Sequence, residues 1–318
     1  MNLSVNFERI IMAKTFQSFL MDGDVSGRIK CRRDSWTGIA YKIPRIYLMT
    51  DNDRDHFRQS GIYFLLGESD ETGKGIVYVG QANSRSNGNG LLGRLKEHAR
   101  NPDKDYWTEA VIFTTENNSL GATELSYLEN YFCKLAQDTN RFEVKNGNLP
   151  NQGNVTEEEE AELAIFIENA KDIMGLFNYK LFEPIVRQAP SSRTNATESA
   201  VDNSIEFTPL ILERRIIQTG ETVKAYGRRT AEGFVVLRGS YISRDEDESI
   251  PDSIKRFRNN ASIDANRILQ EDVLFHSSST AAVFVVGKSA SGPMSWKTED
   301  GRTLKSLEEQ GNNGSSAN

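Results

Sequence analysis

Two tyrosines sit beside glycines in one short stretch, Tyr63 in GIY at 61–63 and Tyr78 in YVG at 78–80. Further on, Arg94 and His98 lie one helical turn apart in LLGRLKEHAR, and Glu129 lies inside ATELSYLENYFCKLAQ. Together these residue types suit phosphodiester hydrolysis. That reaction needs an activated water, a charge partner for the pentavalent phosphate and help for the leaving oxygen. Tyrosine can orient or deprotonate water, arginine can hold phosphate oxygens, and a glutamate-bound Mg²⁺ can act as Lewis acid. Each residue taken singly also has a plainer reading. Glu129 is then a boundary glutamate that reaches water, and Arg94 with His98 a solvated helix face carrying an incidental histidine.

The elements that must position them follow from patterning. Residues 61–67 and 75–80 read as two apolar strands around a polar, glycine-bearing turn. The tract ANSRSNGNG that follows has loop composition. LLGRLKEHAR then predicts a short helix, with Leu92, Leu95 and Ala99 on one side and Arg94 with His98 on another. Asn101 and Pro102 end it. TEAVIFTT at 108–115 predicts a third strand. The next helix carries an apolar stripe of Leu125, Leu128, Phe132 and Leu135, with Glu129 at its border. NGNLPNQGN at 146–154 reads as loop, and Thr156 with Glu159 as a capping box ahead of a helix running to about Asp172. Upstream, residues 24–50 read as a two- or three-stranded lead-in closed by Pro44.

In this order of elements, GIY, YVG, Arg94 and Glu129 resemble the GIY-YIG nuclease family. Arg94 matches its helical arginine, and His98 falls where many members have a histidine. YLEN at 127–130 resembles the Leu-Glu-Asn run around the catalytic glutamate of the bacterial excision-repair nuclease subunit, which favours Glu129 over Glu124 as the metal position. The family asparagine after this helix is Asn146 or, second, Asn151. Flanking phrases, among them YKIPRIYL and SGPMSWKTEDGRTL, resemble a subgroup with a C-terminal domain of unknown function. The resemblance implies an α+β fold: a small antiparallel sheet flanked by helices, plus a second small α+β domain. It implies a Mg²⁺- or Mn²⁺-dependent DNA endonuclease, in defence against foreign DNA or in DNA repair. The other reading is a catalytically silent module on the same fold that binds nucleic acid or protein.

Composition bounds these readings. The chain has 318 residues, enough for about two domains. Its two cysteines form no Cys/His cluster, which argues against a zinc site. With no leader and no long apolar run, a soluble cytoplasmic protein with no membrane partner is the expectation. The net charge of −7 comes from the middle of the chain: residues 151–206 alone carry −7, and the other segments balance. Local basic patches remain. Residues 85–104 carry Arg85, Arg94, Lys96, Arg100 and Lys104 against Glu97 and Asp103, a face expected to meet the phosphates of a bound strand, and Arg228 and Arg229 lie in an arginine-rich run at 213–244; Arg85, Lys96, Arg100, Arg228 and Arg229 are the candidate DNA contacts. The tract 187–206 reads as a linker between a 1–55 β extension with the 56–186 nuclease domain and a second domain over 207–308. In that second domain VKAYGRRT, GFVVLRGS and YISRD predict a meander, helices are expected near 251–270 and 277–286, and 309–318 a frayed tail. Trp296 is expected to pack under the Asp-Gly turn at 300–301.

Overall fold

The structure, a computed structural model, describes residues 13–48, 54–69, 73–84, 90–185, 208–216, 220–248 and 250–314, with 310–314 described by backbone alone. The chain divides into two compact units, Met1–Glu183 and Pro184–Asn318. The fold is mixed α+β, with one sheet in each unit. The expected linker at 187–206 and Arg85 lie outside the described residues. Among the described residues no helix is long and apolar enough to cross a membrane.

The first unit holds strands β1 (Phe16–Leu20), β2 (Ile29–Arg33), β3 (Gly38–Pro44), β4 (Gly61–Glu68), β5 (Gly75–Ala82), β6 (Glu109–Thr115) and β7 (Phe142–Val144). Its helices are α1 (Leu91–Arg100), α2 (Ala122–Thr139) and α3 (Glu157–Leu176). The seven strands form one sheet in the order β1-β2-β3-β6-β4-β5-β7. The sheet is therefore larger than the small one expected, because the lead-in strands join it through β3 on β6. It is also not wholly antiparallel: β7 pairs parallel to β5.

β4 is central, so both its faces are covered, and it reads as an unbroken apolar run rather than an alternation. Ile62, Phe64 and Leu66 pack with Leu125, Leu128 and Phe132 of α2 and with Ile167 and Ile173 of α3. Tyr63 and Leu65 face the other way, onto Leu91 and Leu95 of α1 and Trp107. The capping box of α3 is formed: Glu159 N–H donates to Thr156 Oγ1 at 3.3 Å, and Thr156 N–H to Glu159 Oε2 at 2.8 Å. The helix continues past Asp172 because Ile173 and Met174 prolong its buried stripe.

The second unit holds β8 (Leu210–Arg215), β9 (Thr222–Thr230), β10 (Gly233–Val236) and β11 (Val273–Phe275), in the order β11-β10-β9-β8. Its helices are α4 (Asp252–Asn260), α5 (Ser278–Val286), α6 (Gly292–Ser295) and α7 (Leu304–Gly314). Three expectations need correction. YISRD is not a strand, because arginine side chains take its carbonyls. Arg258 Nη2 donates to Ser243 O at 2.6 Å, and Arg267 Nε to Ile242 O at 3.1 Å. The helix expected over 251–270 stops at Asn260, and the chain folds back through a bridge between Ile263 and Leu269. The tail is helical through Gly314, anchored by buried Leu304 and Leu307. Trp296 is fully buried, with its ring 4.6 Å from that of Phe234 and its N–H donating to Ser278 O at 3.0 Å.

Candidate active site

The two signature glycines have steric reasons. A Cβ on Gly61 would lie 2.3 Å from Phe113 O of β6 and 2.7 Å from Leu91 of α1. A Cβ on Gly80 would lie 2.3 Å from the Tyr63 phenol. Gly80 is the cross-strand partner of Tyr63, so its missing side chain is the space in which the Tyr63 ring lies. Gly61 lets β4 and the start of α1 meet.

Three rings gather under α1. Tyr63 and Tyr78 stack with centroids 6.3 Å apart, and the His98 ring lies 5.5 Å from Tyr63 and 5.2 Å from Tyr78. Tyr63 is 1% exposed and its phenol oxygen lies 2.8 Å from His98 Nε2. Burial pushes the Tyr63 phenol far above its usual range, and the Arg94 guanidinium beside it pulls the other way. Burial also raises the half-buried Tyr78, with the Glu129 carboxylate adding to the effect. His98 is pushed down to about 4 by burial, then by the Lys104 and Arg94 charges. At neutral pH the three rings are uncharged.

Charged groups border them. Arg94 is half-buried, and its Nη1 donates to Glu97 Oε2 at 2.9 Å. Glu129 reaches the same region from α2, on the opposite face of the sheet. Burial raises its carboxyl above the usual range, against hydrogen bonds from Gln81 and the Arg94 charge. The Gln81 Nε2 donates to Glu129 Oε2 at 3.0 Å and to Ser126 Oγ at 3.2 Å. Ser126 in turn donates to Ala122 O, so both neighbours require a donor and the orientation of the Gln81 amide is fixed. Its Oε1 is buried and has no hydrogen-bond partner among the described residues.

The remaining candidates divide. Asn146 Oδ1 accepts from Val79 N–H at 3.0 Å and its Nδ2 donates to Val79 O at 2.8 Å. Its side chain thus extends the β7 pairing by one step and fixes β5 beside Tyr78. Asn151 is exposed in the following loop, and Glu124 lies in the first turn of α2. Lys96 and Arg100 share a side of α1 other than that of Arg94 and His98, since residues two apart on a helix point about 200° apart. Arg228 and Arg229 are consecutive on β9 and so face opposite sides of the second sheet. Arg229 pairs with Glu308 of α7, and Arg228 shares the other face with Lys224 and the exposed Tyr226.

One residue near the site, Gln81, escaped the sequence reading. Gln81 follows the YVG signature directly, which was the available signal. Lys104 follows the helix stop and places its Nζ 3.9 Å from the centre of the Tyr78 ring. Among the described residues no cluster of three or more His, Cys, Asp or Glu is present. In comparisons with known proteins, the family described as Domain of unknown function (DUF4357) matches residues 216–308. No curated protein and no solved structure matches the chain.

Proposed function

We propose that the chain is a metal-dependent DNA endonuclease of the GIY-YIG type, hydrolysing phosphodiester bonds in the cytoplasm. The observation that carries this reading is the Tyr63–His98 hydrogen bond of 2.8 Å, held among three uncharged rings with Arg94 and Glu129 at their border. Cys31 and Cys133, buried as free thiols, suit a reducing compartment.

With its proton on Nδ1, neutral His98 accepts the Tyr63 hydroxyl proton at Nε2. The Tyr63 oxygen keeps a lone pair for a water's proton. A water placed there passes a proton to Tyr63 as Tyr63 passes its own to His98; the charge formed is the His98 imidazolium rather than a tyrosinate, and the negative phosphate brought to the site offsets it. Tyr78, beside them and less buried, orients the water. Arg94 holds a phosphate oxygen in this partly desolvated place, where its charge acts more strongly than in water.

Glu129 would hold Mg²⁺ or Mn²⁺. The donor set fits a hard cation that keeps most of its waters: one half-buried carboxylate, Glu129, which the site's phenols feel. When bound, such an ion supplies Lewis-acid stabilisation to the phosphate. Lys96, Arg100 and Arg228 are proposed contacts to flanking DNA phosphates. Either defence against foreign DNA or repair accommodates this chemistry.

One observation favours a second reading. The Glu129 carboxylate is already bonded to Gln81, which is also what a structural glutamate in a silent binding module would do. A cleavage screen over duplex, single-stranded and branched DNA with Mg²⁺ and Mn²⁺ separates the two. The nuclease reading expects metal-dependent products from at least one substrate.

A further inference from the structure

Lys104 stands apart among the charges of the site. It is the last residue of the short 3-10 turn Pro102–Lys104, entered at Asn101, whose side chain accepts from Asp103 N–H at 2.9 Å. Its ammonium lies over the Tyr78 ring, 3.9 Å from the centre, and the residue is half-buried. A partly desolvated ammonium ordinarily meets a carboxylate. The adjacent acids are turned elsewhere: Asp105 pairs with Arg45 at 2.8 Å, and Asp103 is exposed. Among the described residues no carboxylate lies in ion-pair reach of Lys104.

Burial lowers the lysine, and the charge that acts on it, Arg94, is of the same sign and lowers it further. Arg94 has its own counter-charge in Glu97. The rings between the two cations are uncharged. The ammonium therefore has no anionic partner among the described residues. The ring beneath it holds it in place by cation–π attraction.

We propose that Lys104 is a phosphate-binding residue of this site, taking an oxygen of a nucleic-acid phosphate on the Tyr78 side while Arg94 acts on the Tyr63 side. The inference rests on the nuclease reading for the identity of the strand, but not for the anion chemistry. A free phosphate offers the same oxygens, so two probes are needed.

Inorganic phosphate is titrated into the full chain and followed by NMR at the Tyr78 ring and the lysine side chains. A labelled duplex is bound without metal over a salt series. Lys104→Met keeps the stem and removes the charge, and Lys104→Arg restores it. Thermal melting confirms that both variants fold. The expected result is loss of the phosphate-dependent shifts in Lys104→Met. Duplex affinity should fall about tenfold at low salt, with a log–log salt slope shallower by about one unit, and Lys104→Arg should recover both. Phosphate binding that needs Lys104, in a chain that neither binds nor cuts DNA, would sustain this inference and sink the nuclease reading. A chain that cuts DNA while Lys104→Met matches the parent in both titrations would do the reverse. Binding of neither probe by the parent protein overturns the inference as well.

Discussion

His98 is 4% exposed and its only protonated form at neutral pH would be a buried cation beside Arg94 and Lys104. Its pKa falls from 6.5 unfolded to about 4 folded, so below pH 6.5 the unfolded chain binds more protons than the native one. Stability is then full above pH 6.5 and is lost as pH falls toward 4. Between pH 7.5 and 5 this one group should cost about 2 kcal/mol. Urea unfolding of the parent and of His98→Gln at both pH values measures it: the variant should lose that part of the pH dependence. For the same reason cleavage should not fall through pH 6.5 on the acid side, as an ordinary histidine base would make it do. Tyr63→Phe should remove the relay and leave His98 Nε2 without its partner. Activity should drop about 10²–10⁴-fold and stability by about 1–3 kcal/mol. At this scale the sequence carried types better than partners. Glu129 at the edge of its stripe was legible from helical period. Gln81 was not, because its role depends on which face of β5 it takes and on what reaches it there; Lys104 was legible as part of a basic segment but not as the partner of Tyr78.

Elements place those residues through register. β5 puts Tyr78 and Gly80 toward α1 and Val79 and Gln81 toward α2, so one strand serves both faces of the site. Gly80→Ala should push the Tyr63 ring out of its place, since the added carbon would stand 2.3 Å from it. Loss of cleavage with a displaced Tyr63–His98 resonance pattern in NMR is the expected outcome. A variant that keeps both would show the ring is not held by this contact. Asn146→Leu should unpair Val79 N–H and C=O together, at about 1–3 kcal/mol, with faster amide exchange at Val79. Strong local signals explain what was legible here: the β4–β5 hairpin, the α1 stop at Asn101–Pro102 and the capping box of α3. The misses came from long-range partners. The parallel β7 pairing and the arginine grip on 242–243 have no local signature, and alternation alone made YISRD look like a strand.

In the molecule as a whole, the acidic excess is confined to 151–206 and the residues on either side, 1–150 and 207–318, are balanced in charge, so DNA affinity depends on placement rather than total charge. The two arginines of β9 offer a controlled comparison. Lys224→Gln with Arg228→Gln should make the salt dependence of DNA binding shallower by about two units if that sheet face meets phosphates. Arg229→Gln should leave the slope alone, because Arg229 is turned to Glu308. Equal slopes in all three proteins would assign the second unit to another partner. Metal-dependent strand cleavage through Glu129 is what a nuclease of this kind must show. Purified full-length chain is incubated with supercoiled plasmid and Mg²⁺ or Mn²⁺, beside Glu129→Gln, which removes the ligand charge at constant volume. Nicked circles are expected from the parent protein alone, with chelator abolishing them and the variant still binding DNA. Intact plasmid with every divalent ion, or equal nicking by Glu129→Gln, would contradict it.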